Sequence, residues 1–286
     1  MEPGSIEDER PYLRPERSIF PWVVAGLAIA LIAGIGYYYY YSLVPARDVQ
    51  PAPVAKTEPT PLPDVKPAIQ HPLPEPAKSL PTLEMSDAMM RESLVELLGR
   101  KAFDEFVAPD KLIRRIVATV DNLPRRTAPR RMMPIDPVRG RFITSGGGGA
   151  FTLDPANSSR YAPYVQLAEA VPARALVAIY VEAYPLFQRA YEELGFGGRY
   201  FNDGLLEAID DLLAAPEVGA PIRLVQAKVL YEFADPELET RSAGQKIVIR
   251  MGAENARKVK AKLREIRQEL AAASARRPKP GAGAAQ

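Results

Sequence analysis

Six carboxylates fall between positions 192 and 211: Glu192, Glu193, Asp203, Glu207, Asp210 and Asp211. Two such groups held about 5 to 9 Å apart can serve as acid and nucleophile, or as acid and base, on a glycosidic bond. Glu192, Glu193 and Asp203, on neighbouring predicted helices, are the candidate catalytic set. Composition closes off other chemistries. The chain has no cysteine, and its sole histidine, His71, lies in a proline-rich stretch. Thiol catalysis, a Ser-His-Asp triad and histidine-ligated zinc are therefore excluded. There is no dinucleotide, Walker or EF-hand pattern, so neither a metal nor a cofactor is expected. Glycines 146–149 are followed by neither Lys-Ser/Thr nor a strand-to-helix context and do not make a phosphate loop. The acids also have an ordinary explanation. Acidic residues on helices serve as solvated faces, caps or ion-pair partners, and Asp203 is placed to cap a helix.

Nine aromatic residues lie between Tyr161 and Phe201. Tyr180, Tyr184, Phe187 and Tyr191 follow i, i+4, i+7, i+11, one face of a single helix. A tyrosine-lined groove would stack sugar rings or grip a peptide, and Tyr161, Tyr164, Tyr184, Gln188 and Tyr200 are the candidate binding residues. The same spacing also describes a core stripe whose hydroxyls find internal partners. Pro185 is expected to kink that helix beside Tyr184 and Gln188.

Charge changes sign along the chain although the total is only +2. Residues 100–141 hold eleven basic and five acidic side chains, 154–239 hold six and fourteen, and 241–286 hold twelve and three. One reading pairs the basic arms with the acidic middle. Another leaves Arg125, Arg126, Arg130 and Arg131 free for acidic lipid headgroups or an anionic polymer. Nucleic acid fits poorly, because the expected compartment is wrong and a basic helix end is usually a solvated face.

The elements that must position these groups are mostly helices. Ser86 or Asp87 can cap one that runs to Leu98, with Met90, Leu94, Leu97 and Leu98 inward and Gly99 ending it. Asp110 is placed to open a second, carrying Leu112, Ile113, Ile116, Val117 and Val120, stopped at Asp121-Asn122-Leu123-Pro124. Residues 125–139 have no period and read as irregular; two apolar runs around glycines 146–149 suit a small hairpin. Helix returns from about Ser159. One helix is expected from Pro172 to Leu194, another is capped by Asn202 or Asp203 and stopped before Pro216, and 221–233 alternates like a strand. Asp235-Pro236 is a cap plus first-turn proline. A last helix, Gly252 to Ala273, is expected to dock by Val259, Leu263, Ile266 and Leu270 and to display its charges. The fold class is mainly α, with orthogonally packed helices and minor β content.

Stepping N-terminally, no charged residue occurs between Arg17 and Arg47. Residues 19–44 suffice for one membrane-spanning helix, which needs about 20 apolar residues. Trp22 and Tyr37 to Tyr41 suit its two interfaces. Small-xxx-small pairs at Gly26/Ala30 and Ala30/Gly34 permit helix self-association and hence a homo-oligomer. Arg10, Arg14 and Arg17 outnumber Arg47 and Lys56, favouring a cytoplasmic N-terminus and a periplasmic C-terminal domain. Eleven prolines in residues 45–81 make a semi-rigid spacer with a reach on the order of 100 Å, in which His71 is expected to be solvated. The expected organisation is a tail (1–18), the transmembrane helix (19–44), the linker (45–81), a helical domain (82–274) and a disordered tail (275–286).

Several short runs also resemble a known pattern. They are Leu112-Ile113-Arg114-Arg115, Val117-Ala118-Thr119-Val120-Asp121-Asn122-Leu123-Pro124, Arg160-Tyr161-Ala162-Pro163-Tyr164 and Tyr184-Pro185-Leu186-Phe187-Gln188. Tyr200-Phe201-Asn202-Asp203, Tyr231-Glu232-Phe233-Ala234-Asp235-Pro236 and Ser242-Ala243-Gly244-Gln245-Lys246 complete the series. Over residues 81–270 the chain resembles a proteobacterial family of membrane-anchored proteins catalogued as a domain of unknown function. Gly204 departs from it, standing where an arginine is expected. The resemblance implies a bacterial envelope protein and carries no established activity or catalytic residues. The reading is a single-pass scaffold or partner-binding protein, held by lipid through its helix and binding an envelope protein or peptidoglycan. The alternative is a carboxylate-dependent peptidoglycan hydrolase or lyase.

Overall fold

Apolar residues recur at helical spacing through most of the C-terminal two hundred residues, and the chain folds accordingly. The computed structural model describes residues 68–226 and 229–276. The expected N-terminal tail, transmembrane helix, linker residues 45–67 and tail residues 277–286 lie outside them. Among the described residues no single helix is long and apolar enough to cross a membrane.

Ten α-helices and four short strands are formed there. In chain order they are α1 (Ser86–Leu98), α2 (Arg100–Phe106), α3 (Leu112–Asn122), β1 (Thr144–Gly147), β2 (Ala150–Leu153), α4 (Asn157–Ala170) and α5 (Ala173–Glu182). Then come α6 (Tyr184–Glu193), α7 (Phe201–Leu213), β3 (Arg223–Val225), β4 (Glu232–Phe233), α8 (Pro236–Glu239), α9 (Ala243–Arg250) and α10 (Ala253–Ala275). The domain is mainly helical, as its periodicity implies.

The main core is where α3, α6 and α7 meet. Leu112, Ile113 and Val117 of α3 are fully buried, as their spacing requires, and face Phe187 and Tyr191 of α6 and Phe201 of α7. Phe187 and Phe201 stack with ring centroids 5.9 Å apart. The last helix, α10, lies across α4, α5 and α7 and buries Leu270, with Leu263 and Ile266 half-buried beside it. Lys260 departs from the expected charge display. It is buried, and its Nζ donates to the Ala215 carbonyl at 2.5 Å.

The glycine run forms the expected hairpin, and the strands at 223–225 and 232–233 extend it into an antiparallel sheet of order β1-β2-β3-β4. Gly148 and Gly149 both have positive φ, the backbone that a tight two-residue turn demands. Phe151 pairs with Leu224 and Leu224 with Phe233, so the three share a face that packs on Ile249 of α9.

Four expectations about element ends give way. Neither Ser86 nor Asp87 caps α1, whose N-cap is Met85 without a side-chain cap. The helix from Pro172 to Leu194 is two helices broken at Ala183, because Pro185 lacks an N–H and takes the first turn of α6 instead of an interior place. Asp110 does not cap α3. Lys111 sits there in a left-handed conformation, and Asp87 of α1 accepts from the Lys111 and Leu112 N–H groups at 2.8 and 3.0 Å. Neither Asn202 nor Asp203 is the N-cap of α7; Tyr200 is, without a side-chain cap. Asp235 and Ser242 do cap α8 and α9 through their side chains.

Two helical glycines separate tight from loose packing. A Cβ on Gly244 would meet Leu212 Cδ2 at 2.6 Å and the Leu123 carbonyl oxygen at 3.2 Å, whereas one on Gly204 meets only Tyr191 Oη at 3.5 Å. Gly244→Val is expected to cost about 1–3 kcal/mol, and Gly204→Ala to gain about 0.5–1 kcal/mol. Urea unfolding monitored by circular dichroism measures both.

Candidate functional site

Residues 68–81, broken by prolines, form neither helix nor strand, yet this stretch is not free. From Ala68 onward it lies on the domain as a strap, and Leu73 is buried in the main core. Prolines at 72, 74 and 76 have no N–H to satisfy. Side chains of α5 and α7 satisfy several of the N–H groups that remain.

The receiving residues are set by aromatic packing. Phe201 is buried in the core, and its N–H donates to Gln188 Oε1 at 2.8 Å, which fixes the start of α7. The next two side chains then meet the strap. Asn202, fully buried, donates from Nδ2 to the His71 carbonyl at 2.8 Å and accepts from the Tyr180 hydroxyl at 3.1 Å. Asp203 accepts the Gln70 N–H at 3.1 Å and the His71 N–H at 2.9 Å, and its Oδ1 lies 3.0 Å from His71 Nδ1. Its carboxylate also sits in the first turn of α7, where the helix dipole favours negative charge. Tyr200 Oη accepts the Leu73 N–H at 2.9 Å. At the C-terminal end of α5, Glu182 accepts from Ala77 and Lys78 at 3.3 and 3.1 Å. His71, expected to be solvated, is therefore a contact residue of this clamp.

Burial, reinforced by Tyr200 and by Asp203 or Tyr180, pushes the Tyr180 and Tyr184 hydroxyls well above the ordinary tyrosine range. They stay protonated and act as hydrogen-bonding groups, not as acids.

The remaining carboxylates are spent elsewhere, on different partners. Glu193 and Glu84 both pair with Arg114 at 3.0 Å. Glu192 accepts from Gln188 Nε2 at 3.0 Å. Asp210 takes a two-point contact from Arg267 at 2.6 and 3.0 Å, and Asp211 accepts from Ser242 and Gln245. Glu207 is exposed. The six acids thus meet separate partners: strap N–H groups for Asp203, arginines for Glu193 and Asp210, Gln188 for Glu192, Ser242 and Gln245 for Asp211, and solvent for Glu207. Among the described residues no group of three or more His, Asp or Glu side chains could hold a metal ion.

Of the candidate binding residues, Tyr184, Gln188 and Tyr200 come together, the two tyrosine ring centroids lying 5.0 Å apart, whereas Tyr161 and Tyr164 lie elsewhere. Tyr184 is buried and donates to Gln188, whose Nε2 also reaches the Arg199 carbonyl. Tyr161 packs on a second core cluster around Val248 and Met251. Tyr164 donates to the Pro137 carbonyl and meets Phe106 edge-on at 5.0 Å. Only Tyr200 takes part in the clamp. A cavity of about 270 Å³ opens between α1 and α3, at Ser86, Asp87, Lys111 and Arg114, and none of the candidate residues lines it.

Fold and site together define a mainly helical domain that holds an extended, proline-spaced segment of its own chain through side-chain-to-backbone hydrogen bonds. Over residues 112–267 the chain matches the family described as Protein of unknown function (DUF3014), and it belongs to that family. No curated protein and no solved structure matches it. Glu182, Tyr200, Asn202 and Asp203 lie inside the matched span, and the strap lies before it.

Sequence reasoning singles out Asp203, Asn202 and Tyr200 for other duties and misses Glu182 altogether. The available signal was Leu73 and Leu80, two large apolar residues in a segment taken for a solvated spacer.

Asp203→Ala is expected to cost about 1–3 kcal/mol, since it removes a charged acceptor from the half-buried His71 N–H and from the exposed Gln70 N–H. Hydrogen exchange should show loss of protection at Gln70 and His71 while Ala77 and Lys78 keep theirs. Asp210 offers a pH test. The hydrogen bond from Arg267 holds its pKa below the ordinary 3.8 despite some burial. A depressed carboxylate pKa contributes stability above the unfolded value and loses it as pH falls through the folded one. Arg267→Gln should therefore move the Asp210 titration up toward 3.8, read by carbon-detected NMR, and flatten the stability profile below that pH.

Proposed function

We propose that this chain is a single-pass inner-membrane protein whose C-terminal domain stands in the periplasm and binds a partner as an assembly or scaffolding module. The uncharged stretch between Arg17 and Arg47 supports the anchor, and the arginines before it support a cytoplasmic N-terminus. The absence of cysteine suits an oxidising compartment. The spacer that follows then carries the domain away from the bilayer, with residues 68–81 folded back onto it.

One observation carries the choice of binding over hydrolysis. A glycosidase needs two carboxyls converging on one bond. Here Asp203 is occupied by the strap backbone, Glu193 by Arg114 and Glu192 by Gln188. Each acid has a structural duty, and the duties point to separate elements. The domain's chemistry is that of surfaces and clamps.

Crosslinking in intact cells followed by mass spectrometry tests this reading: envelope proteins should be recovered, and a set made only of cytosolic proteins would sink it. Reporter fusions on either side of residues 19–44 test the topology. Glu192→Gln and Glu193→Gln should leave the crosslinked set unchanged, whereas a catalytic role would make both lose any hydrolysis of purified peptidoglycan.

A further inference from the structure

We propose that Glu182, Tyr200, Asn202 and Asp203 form a recognition site for extended, proline-spaced polypeptide, and that residues 70–78 of a second copy of this chain can replace the resident strap. The site reads backbone. Five N–H groups (Gln70, His71, Leu73, Ala77 and Lys78) and the His71 carbonyl are held by side chains of α5, of α7 and of Tyr200 at its N-cap. Within residues 70–78 two strap side chains are read: Leu73, which fills a core position, and His71, which meets Asp203; Leu80, beyond them, packs on the core. The ligand is thus defined chemically. It is an extended chain with prolines where no donor is needed and a leucine two residues after the residue held by Asp203.

Three features make the strap exchangeable. It pairs with no strand and belongs to no helix, so leaving the site breaks no secondary structure. It precedes the first helix and is joined to the fold only through residues 79–82, where Ser79 and Thr82 are exposed. Its prolines hold it extended in either state, so little chain entropy is lost on rebinding. A strap from a neighbouring copy would remake the same hydrogen bonds and bury the same leucine, which is why exchange of an identical element is a low-cost route to a dimer. The inference does not depend on which side of a membrane the domain occupies.

Two full-length variants in detergent micelles test it. A receptor copy carries His71→Ala and Leu73→Asp, so its strap cannot seat while its clamp is intact. A donor copy carries Tyr200→Phe and Asp203→Ala, so its clamp fails while its strap is intact. Tagged receptor should retain untagged donor, same-variant pairs should fall to background, and a synthetic peptide of residues 68–80 should abolish the retention. Retention no greater than that of same-variant pairs, with both variants folded by circular dichroism, overturns the proposal. Retention that the peptide leaves unchanged overturns it too, because the contact then lies elsewhere. A second measurement needs no donor: the labelled peptide should raise its fluorescence anisotropy with the receptor copy and lose most of that rise with the wild-type chain. Failure to bind a folded receptor copy also overturns the proposal.

Discussion

The aromatic contact between α6 and α7 governs the geometry of this domain. Phe187 and Tyr191 on one helix and Phe201 on the other bury ring faces that Val117 and Ile113 of α3 close from the third side. Rings of that size dominate core energetics and tolerate few relative placements. Once Phe201 is seated and its N–H is held by Gln188, the direction of the first turn of α7 is decided. Asn202 and Asp203 follow as neighbours of a buried ring, and their reach toward the strap is a by-product of hydrophobic packing.

The strap shows the complementary constraint. Burying Leu73 brings its backbone under cover, and a covered N–H must find an acceptor. A strand would supply one by ladder pairing, but prolines at 72, 74 and 76 remove the donors along one edge, and the strap pairs with no strand. The domain answers with carboxylates and a phenol oxygen, acceptors that reach single donors without requiring a neighbouring strand. Charge on Asp203 and Glu182 strengthens those bonds relative to neutral partners.

Local pattern carried much of the fold. The inward faces of α1, α3 and α10, the hairpin at the glycines, and the Asp235-Pro236 start of α8 were all legible, because each rests on periodicity or turn chemistry within a few residues. What failed was long-range in origin. Asp110 looked like a cap, but α3 takes its cap from Asp87, which lies in another helix. Pro185 looked like a kink in one helix, but the chain uses it to begin another. The acids between 192 and 211 were visible as a cluster along the chain, yet nearness in sequence says nothing of which distant partner each one meets. Asp203 meets a backbone 132 residues away. The last helix reads as displaying all its charges, because nothing within it signals the Ala215 carbonyl that receives Lys260.

The strap also fixes where the domain can be pulled. Tension carried along the chain from residues before Ala68 reaches Gln70 and His71 first, and so bears on Asn202 and Asp203 before it is felt by α1. The mechanical handle is the first turn of α7, seated in the aromatic core, and not the covalent entry into the first helix. While the clamp holds, load is delivered to the helix turn beside buried Phe201; once it slips, the slack of residues 70–82 is released and the point of attack moves to the 3₁₀ turn at Leu83–Met85.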